Sequence, residues 1–403
     1  MRNIFGRPTV LYPLAMTFII SWWLFALAPA QGVIKSFPKS IPPEASHLQS
    51  ASLPYLRPIV REELHEALAG NTQGMMELIA EWDTDAFLLQ SHGIEGVVRL
   101  TPEQYLRAQQ LGRRLMAQER GEPIPRPIYE WVADDLGIFL PLQRPPNRFL
   151  PQTELAAAVL LSLTEPERIV AIPSRLRQQK LFPAQRLQRV PLNSDRYNSE
   201  KLFAAHPDVA FVAHYTQPCV IETFKNQGIA QFMVTRIGSL EEVKQTIFKI
   251  GHVIGCSEKA ELLTLFMDCG FAALDNRLLL NKPNEKKILY LNYYTQFSFP
   301  SDHHLIGQLL RRLNVNRFLP TDADCWLVAC EGEQIANLAP DVVIISAAKD
   351  SGLVELVLSY PALKQTPAIR NGRVFAVDDA VQESPTQFLL LAYYDLVEIL
   401  RSL

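Results

Sequence analysis

Two side chains suited to ligand binding follow an apolar run near the middle of this sequence. His214 and Tyr215 come directly after the run 209–213. If that run is a strand of an open α/β sheet, its carboxyl end borders the crevice in which such sheets bind ligands. A tyrosine there can stack on a flat ligand, donate a hydrogen bond or ligate ferric iron as a phenolate. The alternative is a tyrosine that only closes the loop between strand and helix.

A second group of aromatic residues follows the apolar run 288–292. It comprises Tyr293, Tyr294, Phe297 and Phe299. On a loop, such a cluster would suit a large flat or apolar ligand. The alternative is an aromatic anchor that holds the loop against the hydrophobic core.

Arginine and histidine residues near other strand ends are further candidates. Arg175 follows the run 168–172, and its guanidinium offers a planar fork of donors to carboxylates or to the oxygens of an iron chelate. His303 and His304 are adjacent, so in regular structure they cannot both point the same way. Because a metal site also needs a third ligand, we expect no metal site here and assign one histidine to capping the helix near Leu305.

Motifs of catalysis are missing from the sequence. There is no phosphate-binding or dinucleotide-binding glycine motif, zinc-protease motif, serine-hydrolase motif or CxxC pair. The acidic pair Asp378–Asp379 and the residues Asp322 and Asp324 are typical of solvated loops. We therefore expect a binding protein rather than an enzyme, with no cofactor.

Alternating strand and helix patterns would position these side chains. Six short apolar runs occur after residue 129: 168–172, 209–213, 232–234, 288–292, 342–345 and 374–377. Continuous Val/Ile runs are typical of parallel strands buried on both faces. The helical patterns between them (155–163, 220–226, 305–313 and 387–403) indicate βαβ units.

A long helical pattern separates two groups of strands. Ser239 and Glu242 form a capping box, and an apolar stripe continues to about residue 281. Gly255 interrupts the stripe, and Ser257 can cap a new start. If straight, the stretch would be about 60 Å long, which suits a helix spanning two α/β lobes. Such a helix predicts limited hinge motion, because bending it breaks its hydrogen bonds.

Composition excludes several classes of protein. Hydrophobic residues make up 48% and charged residues 20% of the 403 residues, which is typical of a globular chain with a sizeable core. The net charge of −3 argues against a nucleic-acid binder. Five cysteines without a CxxC exclude a zinc ribbon, although Cys325 and Cys330 could pair in an oxidising compartment.

The N-terminus predicts export. Arg2 and Arg7 precede an apolar run over 10–28, and Ala28-Pro29-Ala30 supplies the small residues of a signal-peptidase site. The run is also long enough for an uncleaved membrane anchor, which remains the alternative. Either interpretation places the rest of the chain outside the cytoplasm.

A helical region precedes the strands. Residues 31–54 and 121–128 are rich in proline and read as linkers. Between them, 62–82 and 102–120 have helical patterns, the second opened by Thr101 and Gln104 as a capping box. We expect residues 33–128 to form a separate helical region.

Several motifs, in order over residues 129–403, match one family. They are Asp134-Asp135-Leu136-Gly137, Gln152-Thr153-Glu154-Leu155, His206-Pro207-Asp208-Val209, Gly228-Ile229-Ala230, Ala339-Pro340-Asp341-Val342 and Asn371-Gly372-Arg373-Val374. In these motifs the chain resembles the solute-binding proteins of ABC transporters that carry ferric siderophores, haem or vitamin B12.

The resemblance implies an α/β fold of two Rossmann-like lobes joined by a long rigid interlobe helix, after a mainly helical N-terminal region. The corresponding boundaries are 1–30 for the signal or anchor, 31–128 for the N-terminal region, 129–238 for the first lobe, 239–281 for the interlobe helix and 282–403 for the second lobe. It implies a periplasmic monomer that binds an iron complex between its lobes. Tyr215 and Arg196 fall where similar siderophore binders carry a cleft aromatic and a cleft arginine.

The resemblance also implies an ABC permease as partner. In such proteins one surface Glu on each lobe meets the permease, and Glu333 matches the second-lobe position. In the first lobe Cys219 stands nearest to the expected position, with Glu222 one turn away. The region 33–128 is an addition to the family pattern. Together with Cys219 it leaves open a protein that keeps the two-lobed fold but binds a partner or has a structural role without a small ligand.

Overall fold

The computed structural model describes residues 56–122, 132–140, 146–194, 199–235, 237–280, 286–293, 296–317, 327–329, 332–348 and 351–403. The apolar N-terminal run, the linker 31–54 and the residues Arg196, Tyr294, Asp322, Asp324, Cys325 and Cys330 lie outside them. The helices are α1 (Arg61–Leu68), α2 (Thr72–Ser91), α3 (Pro102–Glu119), α4 (Glu154–Leu163), α5 (Ser174–Gln178), α6 (Ala184–Gln188), α7 (Ser199–Ala204), α8 (Pro218–Asn226), α9 (Leu240–Val253), α10 (Ser257–Leu280), α11 (Leu305–Arg312), α12 (Gly332–Leu338), α13 (Leu353–Ser359), α14 (Pro367–Arg370), α15 (Asp379–Gln382) and α16 (Leu389–Arg401). The strands are β1 (Phe149–Pro151), β2 (Ala171–Ile172), β3 (Leu192–Asn193), β4 (Val209–Ala213), β5 (Ala230–Val234), β6 (Lys287–Tyr293), β7 (Phe297–Pro300), β8 (Asn316–Arg317), β9 (Leu327–Ala329), β10 (Val342–Ala347) and β11 (Val374–Asp378).

A parallel sheet forms the first α/β unit. Strands β1, β4 and β5 lie side by side in that order, with Phe149 opposite Val209 and Phe211 opposite Phe232. A parallel bridge from Phe149 to Ile169 and the pair β2–β3 continue it on the other side. Every residue of β4 is buried, as expected for a central strand covered on both faces.

A second, mixed sheet forms the other α/β unit. Strands β11, β10, β6 and β8 run parallel in that order, whereas β6, β7 and β9 pair antiparallel. All six residues of β10 are buried. The two sheets and the helical N-terminal region confirm the predicted fold class.

The helical stretch between the sheets consists of two helices. It breaks at Ile254–Cys256, where Gly255 adopts a φ of +73°, in agreement with the predicted interruption. Lys244 Nζ donates to Asp268 Oδ1 at 2.9 Å, although Lys244 lies 12 residues before Cys256 and Asp268 lies 12 residues after it, so α9 and α10 run back along each other. The expectation of one straight rod is therefore corrected: α10, with 24 residues, is about 36 Å long.

The helical N-terminal region differs in two ways from its prediction. The pattern 62–82 forms two helices, because Gly70 has a φ of +106° and Asn71 begins α2 by accepting a hydrogen bond from the Gly74 N–H. Second, α1–α3 have no core of their own. Most of their buried apolar residues, such as Leu64 and Trp82, belong to one cluster with residues of α4, α10 and α16. The predicted separate region is thus packed into the main body.

Two capping boxes were predicted from sequence, at the starts of α3 and α9. At α3 the Thr101 hydroxyl and the Gln104 amide oxygen accept from each other's backbone N–H, which confirms the predicted box. At α9 Ser239 accepts from the Glu242 N–H, but the Glu242 carboxylate accepts from Gly238 instead. Within the described ranges, no helix has both the length and the apolar character required to cross a bilayer.

Candidate functional site

The carboxyl end of β4 presents an exposed aromatic residue. Tyr215 is 69% exposed and its ring meets that of His214 edge-on, with 5.2 Å between the centroids. The buried Thr216 fixes this turn, because its hydroxyl accepts from the Ala213 N–H while its own N–H donates to the Ala213 carbonyl. The sequence thus folds into a short turn that leaves the phenol ring outside the core.

Two neighbouring strand ends bring charged groups to the same edge. Glu154 begins α4, three residues after β1 ends, and Arg175 lies in α5 after β2. Arg175 Nε lies 3.7 Å from Glu154 Oε1, and Gln179 Nε2 donates to Glu154 Oε2 at 2.9 Å. The Arg175 side chain stays 59% exposed, so its other donors face solvent.

Electrostatics connect Tyr215 to this pair. Partial burial raises the pKa of the Tyr215 phenol, and the nearby Glu154 carboxylate raises that pKa further. The phenol is therefore protonated at neutral pH and is a hydrogen-bond donor. The edge thus combines an aromatic face, a hydroxyl donor, a carboxylate and a guanidinium, which together can bind a large solute with both apolar and polar parts.

Tyr215, His214 and Arg175 were named as candidates from the sequence, whereas Glu154 and Gln179, which lie at the same edge, were not. Glu154 was read only as part of a helix start, although it follows a strand end as the other candidates do. Gln179 lies one turn beyond Arg175 and carried no signal of its own, because its role depends on where α4 lies.

Phe297 and Phe299, which follow β6, lie in the core of the second unit. Phe297 is 5% and Phe299 9% exposed. The Phe297 ring packs edge-on against Tyr293 and Tyr360, at centroid distances of 5.2 and 5.5 Å. Phe297 is therefore corrected from a ligand contact to a core residue of β7, while Tyr293 is half-buried beside it.

The two adjacent histidines have different environments. His303 is exposed, whereas the His304 Nδ1 caps α11 by accepting from the Ile306 N–H at 3.2 Å. Burial lowers the pKa of His304 to about 4, so its ring is neutral at pH 7. Among the described residues, no group of three or more His, Cys, Asp or Glu side chains is arranged to hold a metal ion.

The carboxylates considered for permease docking are on the surface. Glu222 on α8 and Glu333 on α12 are both exposed. Cys219, in the first turn of α8, is an exposed free thiol, and its Sγ lies 3.7 Å from Gln217 Oε1. Their role in docking stays a prediction.

A depression lies farther along the first sheet, at β3. Its volume is about 460 Å³, and it is lined by residues including Arg177, Leu192 and Lys201. The Arg177 guanidinium donates to the carbonyl oxygens of Leu187, Val190 and Leu192 at 2.6 to 2.9 Å. Because those donors hold the loop before β3, we assign Arg177 a structural role.

Solved structures of similar fold agree with the two-unit architecture. A periplasmic binding protein from Veillonella parvula DSM 2008 is 19% identical with a TM-score of 0.54, covering 64% of this chain and 85% of its own. The periplasmic heme-binding protein RhuT from Roseiflexus sp. RS-1 is 18% identical with a TM-score of 0.53, covering 64% and 98%. A possible iron-binding (periplasmic solute-binding) protein from Staphylococcus epidermidis ATCC 12228 is 17% identical with a TM-score of 0.56, covering 64% and 99%. At these identities the likeness concerns the fold.

Sequence comparison assigns the family. No curated protein sequence matches the chain. The family model described as periplasmic binding protein matches residues 153–381, more than half of the 403 residues. That range begins with the N-cap of α4 and ends in α15, so it takes in most of both sheets and the site around Glu154 and Tyr215. The chain therefore belongs to the periplasmic binding protein family.

Proposed function

We propose that the chain is the solute-binding component of an ABC importer and that its solute is an iron complex, a ferric siderophore or haem. The complex would bind between the two α/β units and be handed to a membrane permease. The family match supports a binding role. Proteins of similar fold are named as heme-binding, as with RhuT and with BhuT in complex with two hemes.

The observation that carries the proposal is the position of Tyr215. It is the most exposed of the large hydrophobic side chains in the described part of the chain, and it lies at the strand edge where open α/β sheets bind ligands. The exposed rings of Tyr215 and His214 lie together at this edge, where a flat ligand can stack on an aromatic face.

The chemistry of the edge fits an iron complex. A phenolate oxygen is a hard ligand suited to ferric iron, and an aromatic ring stacks on a planar macrocycle. The Arg175 guanidinium offers paired donors to carboxylates or chelate oxygens, once it leaves the long 3.7 Å contact with Glu154. Binding through the phenolate would release the Tyr215 proton, because its pKa is raised in the free protein.

Titration of the purified protein with haemin, a ferric hydroxamate siderophore and cobalamin tests the proposal. We expect a difference spectrum in the visible region with haemin or the siderophore, and its amplitude should saturate at a fixed ratio of ligand to protein. Tyr215→Phe keeps the ring and removes the ligating oxygen, so a ligand bound through the phenolate should lose its charge-transfer band and at least about tenfold in affinity. Phe87→Ala, which removes a 58% exposed ring from α2, is the matched control and should bind as the parent does.

The remaining parts of the proposal concern location and partners. We propose a monomer in the periplasm, exported or anchored by the N-terminal segment and without nucleic-acid partners. Glu333 and Glu222 are proposed to meet the permease. Charge reversal at both, with retained solute binding but lost association with permease-containing membranes, would support this; unchanged association would refute the assignment.

A further inference from the structure

The end of α1 lies where the two α/β units meet. The Leu68 carbonyl oxygen accepts a hydrogen bond from Ser162 Oγ at 2.9 Å and one from Gln387 Nε2 at 3.4 Å. Ser162 belongs to α4 beside the first sheet, and Gln387 to the segment that follows β11 and α15 of the second. Gln387 Nε2 also donates to Ser162 Oγ at 2.7 Å, and both side chains are fully buried. A buried polar joint thus links the N-terminal region to both units.

Aromatic contacts surround this joint. The Phe388 ring, beside Gln387, packs edge-on against Phe182 of the first unit with 5.3 Å between centroids. The same ring lies 5.6 Å from the His65 ring of α1. His65 Nε2 is 2.9 Å from the Leu181 carbonyl oxygen, within hydrogen-bond distance. The three parts of the chain therefore share one packed interface, not separate pairwise contacts.

Ion pairs outside this joint connect the N-terminal helices to α16 and α10. The Arg61 guanidinium of α1 donates two hydrogen bonds to the Asp395 carboxylate of α16, at 2.8 and 3.1 Å, and Asp395 is 3% exposed. The Arg107 guanidinium of α3 is likewise bidentate to Glu261 of α10, at 2.6 and 2.7 Å. These pairs fix α1 on the C-terminal helix and α3 on the helix that links the sheets.

From these contacts we propose that α1–α3, which are an addition to the family pattern, clamp the two α/β units at a fixed angle. Opening would separate Gln387 and Phe388 from Ser162 and Phe182, and it would leave buried polar groups unpaired, which opposes the opening. The described residues group into one compact unit instead of dividing between the sheets. The clamp lies before residue 153, outside the family match.

The distance between the units in solution tests the clamp. Spin labels are placed on the native Cys219 of α8 and on a cysteine introduced by Glu355→Cys on α13, with the other four cysteines replaced by alanine. Pulsed electron paramagnetic resonance then gives the distribution of distances between the labels. For the parent we expect one narrow peak that haemin does not shift.

Variants that weaken the joint distinguish the clamp from rigidity of α10 alone. Gln387→Ala and Arg61→Ala should broaden the distance distribution by at least about twofold. Arg189→Ala, which removes an exposed pair with Glu167 within the first unit, should not. Asp395→Asn keeps the side-chain volume and an acceptor for Arg61, so it serves as the weakened variant if Arg61→Ala does not fold.

The proposal is overturned if the parent shows two populations or a broad distribution, or if the joint variants are as narrow as Arg189→Ala. The measurement needs no solute, so a failure to bind haemin would count against the proposed function alone. A haemin-induced shift of the peak in the parent would refute the clamp while supporting solute binding.

Discussion

The contact between the α1–α2 turn and α4 predicts a large effect for Gly70→Ala. Gly70 adopts a φ of +106°, and a Cβ atom there would overlap the backbone carbonyl of Ser162, which is buried. The left-handed backbone costs an alanine about 1–2 kcal/mol. The overlap with a backbone atom forces α4 or the turn to move, which costs about 1–3 kcal/mol more. We therefore expect the free energy of unfolding to fall by about 2–5 kcal/mol.

Gly93→Ala provides the matched control. Gly93 also has a positive φ, +76°, but a Cβ there meets no atom within 4 Å, so only the backbone cost of about 1–2 kcal/mol applies. Urea denaturation followed by tryptophan fluorescence suits both variants, because Trp82 is buried and stacks on Phe266 of α10 with 5.3 Å between centroids. Equal losses of stability in the two variants would refute the close packing of the turn on α4.

Three further predictions concern single side chains. The lowered pKa of His304, about 4, means that the unfolded chain binds more protons between pH 4 and 6.5, so stability should rise with pH across that window by up to about 3 kcal/mol. His304→Asn keeps an N-cap residue and should flatten this dependence of stability on pH. Because the Glu383 carboxylate, 4.0 Å away, favours the charged ring, the rise in the parent should be smaller than burial alone would give. An unchanged dependence on pH, measured by urea denaturation, would refute the prediction. Thr101→Ala should destabilise by about 1 kcal/mol through loss of the capping box, measured by thermal melting. Glu154→Gln should lower the pKa of Tyr215. The titration of Tyr215 is obtained by ultraviolet absorbance, as the difference between a protein that has Tyr215 and the same protein carrying Tyr215→Phe. An unshifted pKa would mean that Glu154 lies too far away to act.

The strands and their order of appearance were predictable from sequence. The runs 209–213 and 342–345 consist of apolar residues only, most of them β-branched or small, and they form central strands buried on both faces. A strand of this kind only has to be buried on both faces, and that requirement can be read directly from its apolar residue types. The exposure of Tyr215 and Arg175 at one edge was predictable for a related reason, because the carboxyl ends of parallel strands meet there.

Contacts between distant segments were not predictable in this way. Periodicity located the break at Gly255, but not the return of α10 along α9, which depends on the side-by-side fit of Gly251 with Ala260 and on Lys244 reaching Asp268. Phe297 was predicted to lie on a loop. It lies instead in β7, because its segment pairs antiparallel with the end of β6. The join of α1 to both units depends on buried groups more than 200 residues apart in sequence, such as Ser162 and Gln387.

Native mass spectrometry of the gently purified protein, with its absorption spectrum, shows whether this chain binds an iron complex. We expect a co-purified mass together with a haem or ferric-chelate band, or uptake of haemin or a ferric siderophore when these are added. A protein that stays free of ligand and ignores haemin, cobalamin and ferric siderophores would contradict solute binding. It would favour instead a partner-binding or structural protein built on the same fold.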